Sequence, residues 1–165
     1  MSKLHWLGIF CVALGWSAIA PKDYPTGALE VAPAVSGLAV MALTDNSFPL
    51  RTLLYVLVQA HCVILIIDGH YTYAEVPLFD DRKPLLGWER NNYYKLGHFM
   101  QGFVPAILAR EILIRKAVVP STAWRNVFIV SICLAFSAFY ELLEWAVALL
   151  TGSGADAFLG TQGYI

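Results

Sequence analysis

Charge is what this sequence has least of. Only 14% of its 165 residues are Asp, Glu, Lys or Arg, against about 25% in an average soluble domain, too few to coat a water-facing surface of this size. A soluble enzyme is therefore excluded as the default. Eleven Lys and Arg against twelve Asp and Glu leave a net charge of -1, so there is no basic surface for a phosphate backbone and nucleic acid is excluded as a partner. Cysteine is scarce too: Cys11, Cys62 and Cys133 show no CxxC or other metal-like spacing and fall in apolar runs, where the thiol packs as a small apolar group. The chain has no GxSxG elbow, no HExxH or ExxH pair and no glycine-rich phosphate loop, so nothing in it points to serine nucleophiles or nucleotide phosphates. Inverted internal repeats and low-complexity tracts are also missing.

Apolar residues are what it has in excess: 58% of the chain is hydrophobic, 13% is aromatic and the mean hydropathy is +0.61. Such a composition is the opposite of a disordered one. A helix crossing a bilayer core needs about 20 mainly apolar residues, and its backbone must be hydrogen-bonded within the segment. Five runs qualify, at 4–20, 27–43, 53–67, 97–119 and 124–150. They predict an all-α, polytopic transmembrane helical bundle of one membrane domain, with about five spans and the lipid bilayer as its immediate partner. A polar segment, 68–96, lies between the third and fourth spans, and a glycine-rich tail covers 151–165. The first run has a second reading, because Lys3 and the Ala18-Ile19-Ala20 sequence resemble a secretory signal and its cleavage site; Pro21, directly after that site, favours an uncleaved span. Basic residues divide almost evenly between the two sides. Lys3, Arg51, Arg110, Arg115, Lys116 and Arg125 would share one side, and Lys22, Arg82, Lys83, Arg90 and Lys95 the other, which leans to an N-terminus inside.

An ionisable side chain at membrane depth is costly, and it usually faces the bundle interior and marks a pathway or site. The densest cluster of such residues, interleaved with aromatics, runs from Asp68 to Gln101. Its Tyr71, Tyr73, Trp88, Tyr93 and Tyr94 suit an interfacial belt, which gives the plain reading of a loop lying on the membrane surface. The sharper reading is a catalytic site at one membrane face, built from His70, Glu75 and His98 with Glu141 and Glu144. Imidazole beside carboxylate suits proton transfer or a divalent metal, with His70, His98, Glu141 and Glu144 as the metal ligands. Glu141 and Glu144, three apart on a helix, can point to one side; His98 and Gln101 share that spacing, and Pro105 continues their face. The remaining ionisable residues have structural explanations. His61 reads as a hydrogen-bonded core residue, Arg110 and Glu111 as an ion pair near the interface, and Glu30 as a carboxylate at the positive end of a helix.

Four blocks carry a family resemblance: GHYTYAEVPLF (69–79), RNNYYKLGHFMQGFVPAILARE (90–111), SAFYELLEW (137–145) and ADAFLGTQG (155–163). Together they resemble the YjdF-type family of bacterial inner-membrane proteins, whose function is unknown. The resemblance implies a polytopic helical protein of the inner membrane, usually of about six spans, with no assigned activity, substrate or cofactor. Two departures stand out. The family pattern has an Asp where this chain has Tyr94, in a run similar to that of VanZ-type membrane proteins. Family members also continue past the GTQG block into a segment rich in Asp, Trp and Gln and a last span, whereas this sequence stops at Ile165, as expected of a fragment or a degraded copy. Three functional readings follow. The first is a membrane-embedded enzyme, dependent on a metal or on acid/base chemistry, acting on a lipid or lipid-linked substrate. The second is a small transporter or proton-coupled permease using Glu141 and Glu144. The third is a non-catalytic membrane subunit.

Overall fold

The structure is a computed structural model that describes residues 3–151. Five long helices dominate it: α1 (Lys3–Ser17), α2 (Tyr24–Thr44), α3 (Thr52–Tyr71), α6 (Tyr93–Arg115) and α7 (Thr122–Thr151). Between α3 and α6 lie a 3-10 turn (Tyr73–Glu75) and two single-turn helices, α4 (Pro77–Asp80) and α5 (Lys83–Leu86). No strand occurs among the described residues. The segment expected to lie as a loop thus contains short helical turns, and its 3-10 turn packs against α3 and α6. It is pinned there by Asn91, which is fully buried: its Nδ2 donates to the Val76 carbonyl at 3.0 Å, and its Oδ1 accepts from the Tyr93 amide at 3.0 Å. The glycine-rich tail and the ADAFLGTQG block fall at 152–165, outside the described residues.

Helix boundaries follow from local chemistry. Ala20 takes a positive φ of 50° and Pro21 has no amide hydrogen, so α1 stops at Ser17, three residues short of its apolar run. Asp23 caps α2 by accepting from the Thr26 amide at 2.8 Å, with Pro25 in the first turn, where a missing donor costs nothing. The Thr26 side chain, followed by that amide, holds the Asp23 carboxyl below its ordinary range. The third helix extends to Tyr71, so Asp68, Gly69 and His70 belong to α3 and not to the polar segment. Its end is fixed by Thr72, whose φ of +64° breaks the helix while its amide still donates to Asp68. At the far end of α6, Ala117 (φ +51°) and Pro120 stop the helix at Arg115, before 119.

Among the described residues three helices, against the five spans expected, are long and apolar enough to cross a membrane: Tyr24–Thr44, Thr52–Tyr71 and Thr122–Leu150. At 1.5 Å per residue they reach about 32, 30 and 44 Å, enough for a hydrocarbon core of about 30 Å. By contrast α1 is only 15 residues long, and α6 carries Lys95, Arg110, Glu111 and Arg115. Helix α3 is the hub, contacting α1, α2 and α6, while α7 leans chiefly on α6. The core where α1, α2 and α3 meet consists of Trp6, Phe10, Ala34, Cys62, Leu65 and Ile66. Trp6 stacks on Phe10 and donates its indole hydrogen to the Tyr55 carbonyl at 2.7 Å. No described residue of α7 is buried against the rest of the chain. Its exposed Trp124, Phe128, Phe136, Phe139 and Trp145 form an apolar surface that suits lipid contact and would be a liability in water.

The crossing of α2 and α3 depends on two glycines. A Cβ on Gly27 would lie 2.5 Å from the Gly69 carbonyl oxygen, and one on Gly69 would lie 2.6 Å from Val31 Cγ2 and 3.0 Å from the Gly27 carbonyl oxygen. Only glycine at both positions lets the backbones approach this closely. Gly27→Ala is expected to force the helices apart at a cost of about 1–3 kcal/mol, read as a lower thermal-unfolding midpoint in detergent. Gly8→Ala and Gly15→Ala, inside α1 where a Cβ meets nothing within 4 Å, should leave the midpoint unchanged or slightly raised. Asp23→Ala should cost about 1 kcal/mol through the lost cap. Because the Asp23 carboxyl is held low, its contribution is complete above the ordinary carboxylate range and fades as pH falls through the depressed value. The gap between wild type and Asp23→Ala should therefore close in strong acid.

Candidate functional site

The five residues singled out at the membrane face do not converge. In the last turn of α3, the His70 ring stacks on Trp16 with centroids 4.3 Å apart, and its Nδ1 lies 3.2 Å from the Ser17 carbonyl oxygen. Glu75 is exposed and forms an ion pair with Lys22, whose amide donates to the His70 carbonyl at 3.0 Å. These two residues therefore fasten the α1–α2 link to the end of α3. His98 is exposed on α6, edge-on to Tyr94 with centroids 6.1 Å apart. Positions three apart on a helix differ by about 60° around its axis, so Gln101 turns inward while His98 stays outside. Glu141 is exposed on α7 and Glu144 is half-buried. Among the described residues no three His, Cys, Asp or Glu side chains are placed to hold a metal ion. The divalent-metal expectation for His70, His98, Glu141 and Glu144 thus has no support in the geometry.

A different acidic centre does form, and Glu144 is its only member from the expected five. Glu30 on α2 and Asp68 on α3 are 1% and 0% exposed. They lie three residues after Gly27 and one before Gly69, so the close glycine crossing delivers both carboxyls to one place. They come near enough to interact with each other and with the Tyr73 hydroxyl, yet none of their four oxygens reaches hydrogen-bond geometry with a partner among the described residues. Glu144 acts on both electrostatically from α7, and all three carboxyls act on the Tyr140 hydroxyl. No lysine or arginine among the described residues acts on either carboxyl. Removing one partner of a buried pair, or leaving a buried charge without one, is strongly unfavourable, and here two acids share one enclosure with no cation opposite them. Protonation, or a positively charged group brought beside them, would relieve the repulsion between two such carboxyls.

Tyr73 separates this centre from a cavity. Burial, followed by the charges of Glu30 and Asp68, pushes its hydroxyl above the ordinary tyrosine range, so it remains a hydrogen-bond donor throughout physiological pH. Its ring lies against Gly97, where an added Cβ would come within 3.1 Å of the ring edge. Tyr93 braces the same corner, donating from its hydroxyl to the Ile64 carbonyl at 2.8 Å. Beyond Tyr73 a cavity of about 390 Å³ opens between α2, α3, α6 and α7. Its walls are apolar apart from His61, Gln101 and the two tyrosines Tyr73 and Tyr140. His61, read from sequence as a core residue, lines this cavity. Pro33 and Pro105, each inside a helix, face it from opposite sides.

Sequence reasoning passed over Glu30 and Asp68 for identifiable reasons. Glu30 lies in the second turn of α2, where a helix end accounts for a carboxylate, and Asp68 looks like the first residue of a polar loop. The available signal was the spacing Gly27-x-x-Glu30 and Asp68-Gly69, a small residue beside an acid on each of two consecutive apolar helices.

The comparisons with known proteins agree with this architecture. A family model described as predicted membrane protein (DUF2238) matches residues 2–165. The inner membrane protein YjdF of Escherichia coli (strain K12) is 45% identical over 148 residues, covering 90% of this chain and 71% of that protein. No solved structure matches. With a family match over almost its whole length and a close relative across most of it, this helical membrane chain belongs to the DUF2238 family of predicted membrane proteins.

Proposed function

We propose that the protein is a proton-coupled carrier of the bacterial inner membrane, moving a small and largely apolar solute that bears a positive charge. The observation behind this reading is the buried, unpaired Glu30–Asp68 pair behind Tyr73, adjoining an apolar cavity. The inner-membrane location is carried over from the Escherichia coli relative. An apolar wall desolvates the body of such a solute favourably, and a cluster of carboxyls is the counter-charge that a cation needs in a medium of low dielectric. Protons and the cation would compete for the same acids, which couples their movements in opposite directions. Glu30 and Asp68 are the binding acids in this reading. Glu144 and Tyr140 bring α7 into the site, and Tyr73 gates the passage between acids and cavity. The alternative of an enzyme acting on a lipid headgroup loses support, because His70 and Glu75 are already engaged in holding helices together.

Tetraphenylphosphonium binding to the detergent-purified protein is the direct test. Binding should release protons into a weakly buffered medium and tighten as pH rises, because protonation of the acids competes with the cation. Asp68→Asn and Glu30→Gln should each weaken binding at least tenfold and abolish the proton release. Binding that is independent of pH, or that survives both substitutions, would refute the reading. The same two variants also carry a stability prediction of opposite sign. Each removes one of two like-charged groups and leaves a neutral isostere, so thermal stability should be unchanged or raised by about 1 kcal/mol or more. A loss of several degrees in the unfolding midpoint would mean that the carboxyls are structural.

A further inference from the structure

We infer that the end of the bundle opposite the acidic centre carries a binding site for an anionic phospholipid, with Arg51 and Arg110 holding its phosphate. A cleft of about 140 Å³ lies between the start of α3 and the last turns of α6, lined by Arg51, Arg110, Glu111 and Arg115 together with apolar residues that include Leu53 and Ile114. Three guanidinium groups at one helix boundary call for counter-charge, and the cleft supplies only one carboxylate. That carboxylate is committed: Glu111 Oε1 accepts from Arg115 Nη1 at 2.6 Å and from the Arg51 amide at 3.2 Å. The pairing differs from the one expected between sequence neighbours Arg110 and Glu111, because on a helix the i+4 residue faces Glu111 and the i−1 residue does not. Arg115 is held further by the Pro49 carbonyl at 2.7 Å and by the Phe48 ring, 3.9 Å below its guanidinium.

Arg115 and Glu111 therefore neutralise each other in a fixed frame, and two positive charges remain in excess. Neither the Arg51 nor the Arg110 guanidinium has a partner among the described residues. A planar fork of donors is the group best suited to a phosphate oxygen pair. Leu53, 63% exposed, and Ile114, 41% exposed, line the cleft beside the arginines and offer apolar surface to an acyl chain. Basic pockets between helices at a membrane face are recognised by anionic headgroups on this physical ground. The combination of two free guanidinium groups with an apolar exit selects a phospholipid over a soluble phosphate, and an anionic headgroup over a zwitterionic one.

Native mass spectrometry of the whole chain in detergent, titrated with phosphatidylglycerol, with phosphatidylcholine and with inorganic phosphate, tests the site. One phosphatidylglycerol should bind in preference to phosphatidylcholine. Arg51→Gln and Arg110→Gln should each weaken it about fivefold, and the control pair Arg82→Gln and Lys83→Gln, at the other end of the bundle, should not. Should Arg51→Gln fail to fold, Arg110→Gln alone, at an exposed position, gives the same reading. Equal binding of the two lipids, equal loss in the control, or saturation by inorganic phosphate that displaces the lipid would overturn the inference. Tetraphenylphosphonium binding is independent of it and should persist in Arg51→Gln.

Discussion

The contact on which the rest depends is the approach of α2 to α3 at Gly27 and Gly69. Without side chains at those two positions the backbones come within reach of each other's carbonyls, and nothing larger than hydrogen fits. The consequence is electrostatic as much as steric. A crossing this tight leaves no room for solvent beside the helices, and the acids that flank the glycines are carried into the interior with it. Glu30 and Asp68 are therefore buried because of where they sit in the chain, although an isolated carboxyl at that depth would be strongly disfavoured. Proteins retain such groups where their cost is balanced by a role.

The two ends of the bundle are fastened by different sets of polar contacts. At one end, Glu30, Asp68, Glu75, Glu141 and Glu144 gather with the folded segment after α3. At the other, Lys3 pairs with Asp45 at 2.5 Å, the Tyr55 hydroxyl donates to the same Asp45 at 2.6 Å, and the arginines surround Glu111. The Lys3 ammonium and the Tyr55 hydroxyl hold the Asp45 carboxyl below its ordinary range. Such exposed pairs add little stability singly. Their value is positional, since they tie the start of α1 to the ends of α2 and α3 and so orient the core formed by Trp6 and Phe10. The Lys22–Glu75 pair and the His70–Trp16 stack fasten the opposite end in the same way.

The membrane character and the helical architecture were legible in the residues because both follow from one-dimensional quantities: the length of an apolar run, its charges, and the prolines and polar turns that end it. Boundaries were less so. Asp68, Gly69 and His70 look like the start of a polar loop, yet α3 continues to Tyr71, where Gly27 and Val31 pack against Gly69 and Tyr73 reaches toward Asp68 in place of the solvent a polar segment would otherwise need. The spacing of His98 and Gln101 suits one face, but the 60° between them is the difference between the outside of α6 and its cavity side. His61 was indistinguishable from a core histidine until Gln101 and Tyr140 were seen to line the same space.

What the sequence alone determined is the medium and the secondary structure, since hydrophobicity and backbone satisfaction are local sums over consecutive residues. It also carried the family membership, through four ordered blocks. Which acids meet was decided only in three dimensions. Glu30 and Asp68 are 38 positions apart and Glu144 lies a further 76 along, so their encounter depends on the angle and closeness at which separate helices cross. That is set by the absence of two side chains, at Gly27 and Gly69, and a missing atom leaves no mark in composition or periodicity.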